Sequence, residues 1–71
     1  NGFGTSGIPD VIAIVDGIVV GIECKADKSK KPTALQLQRG KDIRQAGGYW
    51  FLVYDDDTIA QVEKYIKTGR L

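Results

Sequence analysis

A single cysteine, Cys24, and no histidine exclude an internal disulfide and an ordinary zinc cluster, two staples on which small domains often rely. Methionine is absent as well, an initiator included, so the expectation is a start that was clipped or lies outside this stretch. Large net charge is missing: ten Lys+Arg against nine Asp+Glu leave +1, which does not describe a simple polybasic nucleic-acid binder. The longest apolar stretch, over 11–22, is broken by Asp16-Gly17 and is too short to cross a bilayer. No basic start followed by an apolar segment and a cleavage site marks secretion. A lone thiol within an apolar run fits a reducing compartment, and the expected location is intracellular.

What is present is ordinary for a globular domain: 42% hydrophobic and 27% charged residues in 71, which argues against disorder. The chain is read as a single domain over 1–71. A chain this short buries only ~60% of its unfolded surface and draws ~3–5 kcal/mol from its core. Help from a partner subunit or from further chain is therefore expected.

Residues 1–7 hold three glycines with Asn, Thr and Ser, a loop composition. Two β-branched runs, Val11-Ile12-Ala13-Ile14-Val15 and Ile18-Val19-Val20-Gly21-Ile22, flank Asp16-Gly17. That pair predicts a type I′ hairpin, since both central residues need positive φ. A lysine-rich loop over 25–32 ends in Pro32, and Thr33 opens a helix to about Ala46, with Gln36 at the capping-box position. Gly47-Gly48 stops that helix. Tyr49-Trp50-Phe51-Leu52-Val53-Tyr54 reads as a third strand covered on both faces. Asp55-Asp56-Asp57 makes a turn into a helix over 58–67, with Ile59, Val62 and Ile66 as its apolar stripe and Gly69 as its end. The order strand, strand, helix, strand, helix predicts an α/β domain: a hairpin plus a strand–helix–strand crossover forming a mixed sheet flanked by helices.

The hairpin register follows from the turn. With Asp16 and Gly17 as the loop, paired positions sum to 33, so Ile12 meets Gly21 and Asp10 lands opposite Glu23. Opposed residues share a face, with Cβ atoms ~4.5–5.5 Å apart. Lys25, two residues beyond Glu23, shares it too. Two carboxylates so close repel unless a hard divalent cation such as Mg²⁺ takes both as ligands. The backbone carbonyl of Cys24 is a further candidate ligand, its thiol expected to point into the core. An ammonium at Lys25 can orient a water and stabilise charge on a phosphate. Gly21, opposite Ile12, is expected to leave that face open. Metal, water and lysine around an acidic pair are what phosphodiester hydrolysis requires.

Pro9-Asp10 followed by Glu23-Cys24-Lys25 resembles the PD-(D/E)XK nuclease signature. Gly7-Ile8-Pro9-Asp10, Gly21-Ile22-Glu23-Cys24-Lys25, the Thr33–Gln36 helix start and Ala46-Gly47-Gly48 resemble the VRR-NUC family, virus-type replication-repair nucleases, over residues 7–54. The resemblance implies a restriction-endonuclease-like core and Mg²⁺- or Mn²⁺-dependent cleavage of DNA. Small stand-alone phage and prophage members resemble Holliday-junction resolvases and act as homodimers, which would place this protein in a bacterial host cytoplasm, in DNA repair. Carried over by position, Asp10 and Glu23 are metal ligands, Lys25 the catalytic lysine, and Gln36 the motif glutamine reaching the site from the helix. Gln36, Gly40, Ile43 and Gly47 share one helix face, so Gln36 points sheetward if Ile43 does, and Gly40 permits close approach. The family usually carries a preceding helix with another acidic residue, which this stretch does not include.

Blander roles stand beside these. Asp10 could cap a strand, Glu23 and Lys25 could be an exposed pair, and Gln36 could serve only the capping box. Asp55-Asp56-Asp57 is read as a turn and cap rather than a metal cluster, Trp50 and the nearby tyrosines as core or interface rather than base-stacking groups, and Cys24 as a small buried hydrophobe rather than a reactive thiol. The loop over 1–7 could wrap DNA or be a linker. Residues 25–44 hold seven basic and two acidic side chains, the remainder three basic and seven acidic, so near-neutrality hides a basic segment. Lys28, Lys30, Lys31, Arg39, Lys41 and Arg44 are its phosphate-contact candidates. The expected function is a metal-dependent, structure-selective endonuclease acting on branched DNA. The alternatives are a flap or nicking module of a larger repair protein, and a DNA-binding domain that keeps the fold without cleavage.

Overall fold

Asp16 and Gly17 both adopt positive φ, 51° and 79°, as a two-residue type I′ turn requires. The computed structural model, which describes residues 7–69, accordingly closes the hairpin of β1 (Val11–Val15) and β2 (Ile18–Cys24) in the expected register. Val15 faces Ile18, Ile12 faces Gly21 and Val11 faces Ile22. Residues 1–6, most of the glycine-rich loop considered as a DNA wrap, lie outside the described residues.

β2 pairs in parallel with β3 (Tyr49–Val53), reached through α1 (Ala34–Gln45), and α2 (Asp56–Thr68) follows. The result is a mixed three-stranded sheet in the order β1-β2-β3, a small α/β fold. Thr33 caps α1 and closes a capping box with Gln36. Asp55 caps α2 and does the same with Thr58. Because Asp55 takes the cap, α2 starts at Asp56 rather than at Thr58, and Asp56 and Asp57 fall in the first turn, where the helix dipole favours them. The acidic run is thus a helix start. No helix among the described residues is long and apolar enough to cross a membrane.

Alternation along the strands divides the sheet into two faces. On one, Trp50 is buried beneath α1, and a Cβ placed on Gly40 would lie 2.6 Å from the indole ring. On the other, Tyr65 of α2, only 3% exposed, packs its ring 4.8 Å from Tyr49 and 5.7 Å from Phe51 between centroids. The third strand is covered on both faces, as expected. The stripe of α2 differs from the expectation: Val62 is buried, but Ile59 and Ile66 are 45% and 44% exposed, and Tyr65 is the anchor. The cause is placement, since α2 packs on β3, an edge strand, and its stripe overhangs the sheet.

Gly21 also departs from the expectation. The face it was expected to leave open is filled: Ile43 Cδ1 and Pro9 Cγ would each lie 2.9 Å from a Cβ there. The missing side chain makes room for packing. The open apolar surface lies toward the turn end of the hairpin, where Ile12 and Ile14 of β1 and Val19 of β2 are 57%, 73% and 43% exposed, because α1 packs mainly over β3 and β2.

Gly40→Ala gains up to about 1 kcal/mol of helix propensity but drives a methyl group into the Trp50 ring, an overpacking that costs typically 1–3 kcal/mol. A net loss of stability is expected, read as a lower urea midpoint with unchanged slope.

Candidate active site

The register continues one step past Val11 and Ile22 to set Asp10 opposite Glu23. The Cys24 N–H donates to Asp10 Oδ2 at 2.8 Å, which fixes the Asp10 carboxylate against the end of β2. Glu23 is 2% exposed. Its Oε2 accepts from Gln36 Nε2 at 3.0 Å and lies 3.8 Å from the Lys25 ammonium. Its Oε1 is buried without a hydrogen-bond partner among the described residues.

Gln36 closes the capping box and also reaches Glu23 and Lys25. Its Oε1 accepts from the Thr33 N–H at 2.9 Å and from Lys25 Nζ at 2.9 Å, while its own N–H donates to Thr33 Oγ1 at 3.1 Å. The cap therefore dictates which way the amide is turned. With Oε1 committed to Thr33, Nε2 faces Glu23, and a donor meets an acceptor. Glutamate here would still cap the helix but would set a third carboxylate against Glu23.

The sequence-expected core of the site, Asp10, Glu23, Lys25 and Gln36, is thus brought together. The Cys24 side chain is not where it was expected. Cys24 is exposed, because it ends β2 on the face where α2 packs mainly over β3. Desolvation, then the Asp10 and Glu23 carboxylates, push its pKa up, so it stays a protonated thiol at neutral pH rather than a nucleophile.

The basic residues do not form one patch. Lys28, Lys30 and Lys31 line a groove together with Ser29, Leu52 and Tyr54. Arg39 bonds Asp42 at 2.9 Å, whose carboxyl is held low by Gln38 and then by Arg39. Arg44 lies over the Trp50 ring, 5.5 Å from its centroid. Five residues apart, Arg39 and Arg44 project about 140° from one another around the helix. Lys41 is exposed. Leu52 and Tyr54 also line this groove, although Tyr54 was expected in the core or an interface and Leu52 only in a covered strand. The parallel register of β2 and β3, which sets Leu52 beside Glu23, brings them there, and no short-range sequence spacing encodes it.

Among the described residues no three His, Cys, Asp or Glu side chains gather to hold a metal ion. The donor set fits a cation that asks for less. Mg²⁺ is commonly held by one or two carboxylates with water completing its shell, and the partnerless Glu23 Oε1 opposite Asp10 is an oxygen suited to that ligand. Compared with protein-family models, curated proteins and solved structures, the chain finds no significant match in any of the three.

Burial, then the Asp10 carboxylate, raises the Glu23 pKa above its ordinary 4.5, with Lys25 opposing. A carboxyl raised on folding binds its proton more tightly in the native state, so its stabilising contribution is full below 4.5 and is lost as pH rises through the raised value. In chelator, the urea midpoint of the wild type should fall as pH climbs across that window. Glu23→Gln, which keeps the shape and removes the titration, should flatten the fall.

Proposed function

We propose that the chain is a divalent-metal-dependent, structure-selective DNA endonuclease with a restriction-endonuclease-like core of the VRR-NUC type, acting on branched DNA such as four-way junctions. The observation that carries this reading is the buried Glu23 carboxylate across the hairpin from Asp10, whose Oε2 lies 3.8 Å from the Lys25 ammonium and whose Oε1 has no hydrogen-bond partner among the described residues. A carboxylate oxygen in that condition costs roughly 1–3 kcal/mol or more if nothing binds it, an expense that a ligand site explains and a surface ion pair does not.

Asp10, Glu23 and the Cys24 carbonyl would hold Mg²⁺ or Mn²⁺. When bound, the cation supplies Lewis acidity and a template for the phosphate. Lys25 holds its ammonium against the acidic pair, where it orients the attacking water and offsets negative charge growing on the phosphate. Gln36 is a positioning residue: it fixes Lys25 through Oε1 and Glu23 through Nε2. Lys28, Lys30 and Lys31 attract the phosphodiester backbone, and none of these groups reads bases, so selection rests on charge and on the shape of the DNA. A homodimer belongs to the same reading. Ile12, Ile14 and Val19 give it an apolar surface, β1 is an edge strand among the described residues, and two sites would meet the two strands of a junction.

Four-way, flap and linear DNA incubated with and without Mg²⁺ provide the test. Metal-dependent cleavage of the junction is expected, with Asp10→Ala and Lys25→Ala each slowing it by about 10²–10³-fold or more, the loss typical of removing one transition-state stabiliser. Undiminished cleavage by either variant, or a monomer in gel filtration that trims flaps and ignores junctions, would overturn the reading.

A further inference from the structure

The lysine loop and the end of β3 enclose a groove of about 590 Å³ lined by Lys28, Ser29, Lys30, Lys31, Leu52 and Tyr54. The sheet ties this groove to the acidic pair. Leu52 pairs with Glu23, and Cys24 with Val53, so one step on, Tyr54 comes level with Lys25, whose N–H donates to the Val53 carbonyl at 2.9 Å. Adjacent strands lie ~4.8 Å apart, which makes Lys25 and Tyr54 neighbours.

Two chemistries meet there, ammonium groups on a loop and a partly exposed aromatic side chain. Both are anchored. Lys30 N–H donates to the Asp27 carbonyl at 3.1 Å, and Ser29 N–H to Asp27 Oδ1 at 2.8 Å, which folds the loop. Tyr54 N–H donates to Thr58 Oγ1 at 3.0 Å, which ties it to the start of α2. Asp55, just past the end of β3, is held low chiefly by Thr58 and in smaller part by Lys28. Neither Lys30 nor Lys31 joins an ion pair among the described residues.

A duplex keeps its bases stacked and would offer this groove only phosphates. An unpaired strand offers phosphates and a π face together, and a basic groove with an aromatic platform is how single strands are held. We propose that the groove binds an unpaired DNA strand, Tyr54 stacking on the base next to the phosphate at Lys25 while Lys30 and Lys31 contact the flanking phosphates. The inference rests on the nuclease reading and deepens it: at the branch point of the junction, the groove takes a strand locally opened from its complement.

Fluorescence anisotropy of the full chain with labelled single-stranded oligothymidylate and with a duplex of equal length, both in chelator so that nothing is cut, tests it. The wild type is expected to hold the single strand more tightly. Tyr54→Phe should bind like the wild type, whereas Tyr54→Leu, which keeps bulk without a π face, should weaken single-strand binding roughly 5- to 100-fold and leave duplex binding unchanged. A 2-aminopurine placed in the strand should be quenched on binding to the wild type, a readout independent of how well any variant folds. Equal affinity for duplex and single strand, a Tyr54→Leu protein binding as the wild type does, or unquenched 2-aminopurine would each overturn the proposal. Metal-dependent cleavage combined with any of those results removes the groove assignment alone. Quenching without cleavage in Mg²⁺ or Mn²⁺ removes the nuclease reading and keeps the groove.

Discussion

The geometry of the site depends on two backbone conformations that lie at the far end of the hairpin from it. Positive φ at Asp16 and Gly17 limits the loop to two residues, and a two-residue loop fixes every cross-strand pair back to Asp10 and Glu23. A slip of one residue would put the whole apolar set of β1 on the opposite face, and Asp10 with it. The acidic pair exists because the turn admits one register. The turn and the acidic pair are thus one structural unit, although they lie at opposite ends of the hairpin.

Given that register, the remaining difficulty is electrostatic. Glu23 is buried with Asp10 as its neighbour, and a carboxylate removed from water needs compensation. Lys25 supplies part of it at 3.8 Å and Gln36 a hydrogen bond at 3.0 Å, while Oε1 has no hydrogen-bond partner among the described residues. The choice of residue at 36 answers two demands at once, an acceptor for the helix cap and a donor for Glu23. Among natural side chains of that length, the amide alone carries both.

Much of this was legible because it is encoded over short distances. The Asp-Gly turn gave the register, Thr33 and Gln36 gave the start of α1, and the spacing of Gln36, Gly40 and Ile43 gave its inward face; Gly40 indeed lies against Trp50. What could not be read was coverage. Strand alternation assigns Cys24 and Gly21 to faces but does not say that α2 stops short of the one or that Ile43 and Pro9 fill the space at the other. For the same reason Ile59 and Ile66 looked like core and Tyr65 was passed over: a helical stripe shows its apolar side, while its depth depends on which strand it crosses. Tyr54 was counted with the core aromatics because its exposure depends on where the lysine loop folds.

Sharing Gln36 between cap and site has a kinetic side. First turns of helices open and close locally at far lower cost than whole domains unfold, and in most proteins such fraying is silent. In this chain, each opening at Thr33 withdraws one amide from Glu23 and Lys25 together. The fraction of molecules with an assembled site is thus tied to the fraction with a closed first turn of α1, and the protection of a single amide proton from exchange with solvent becomes a gauge of it.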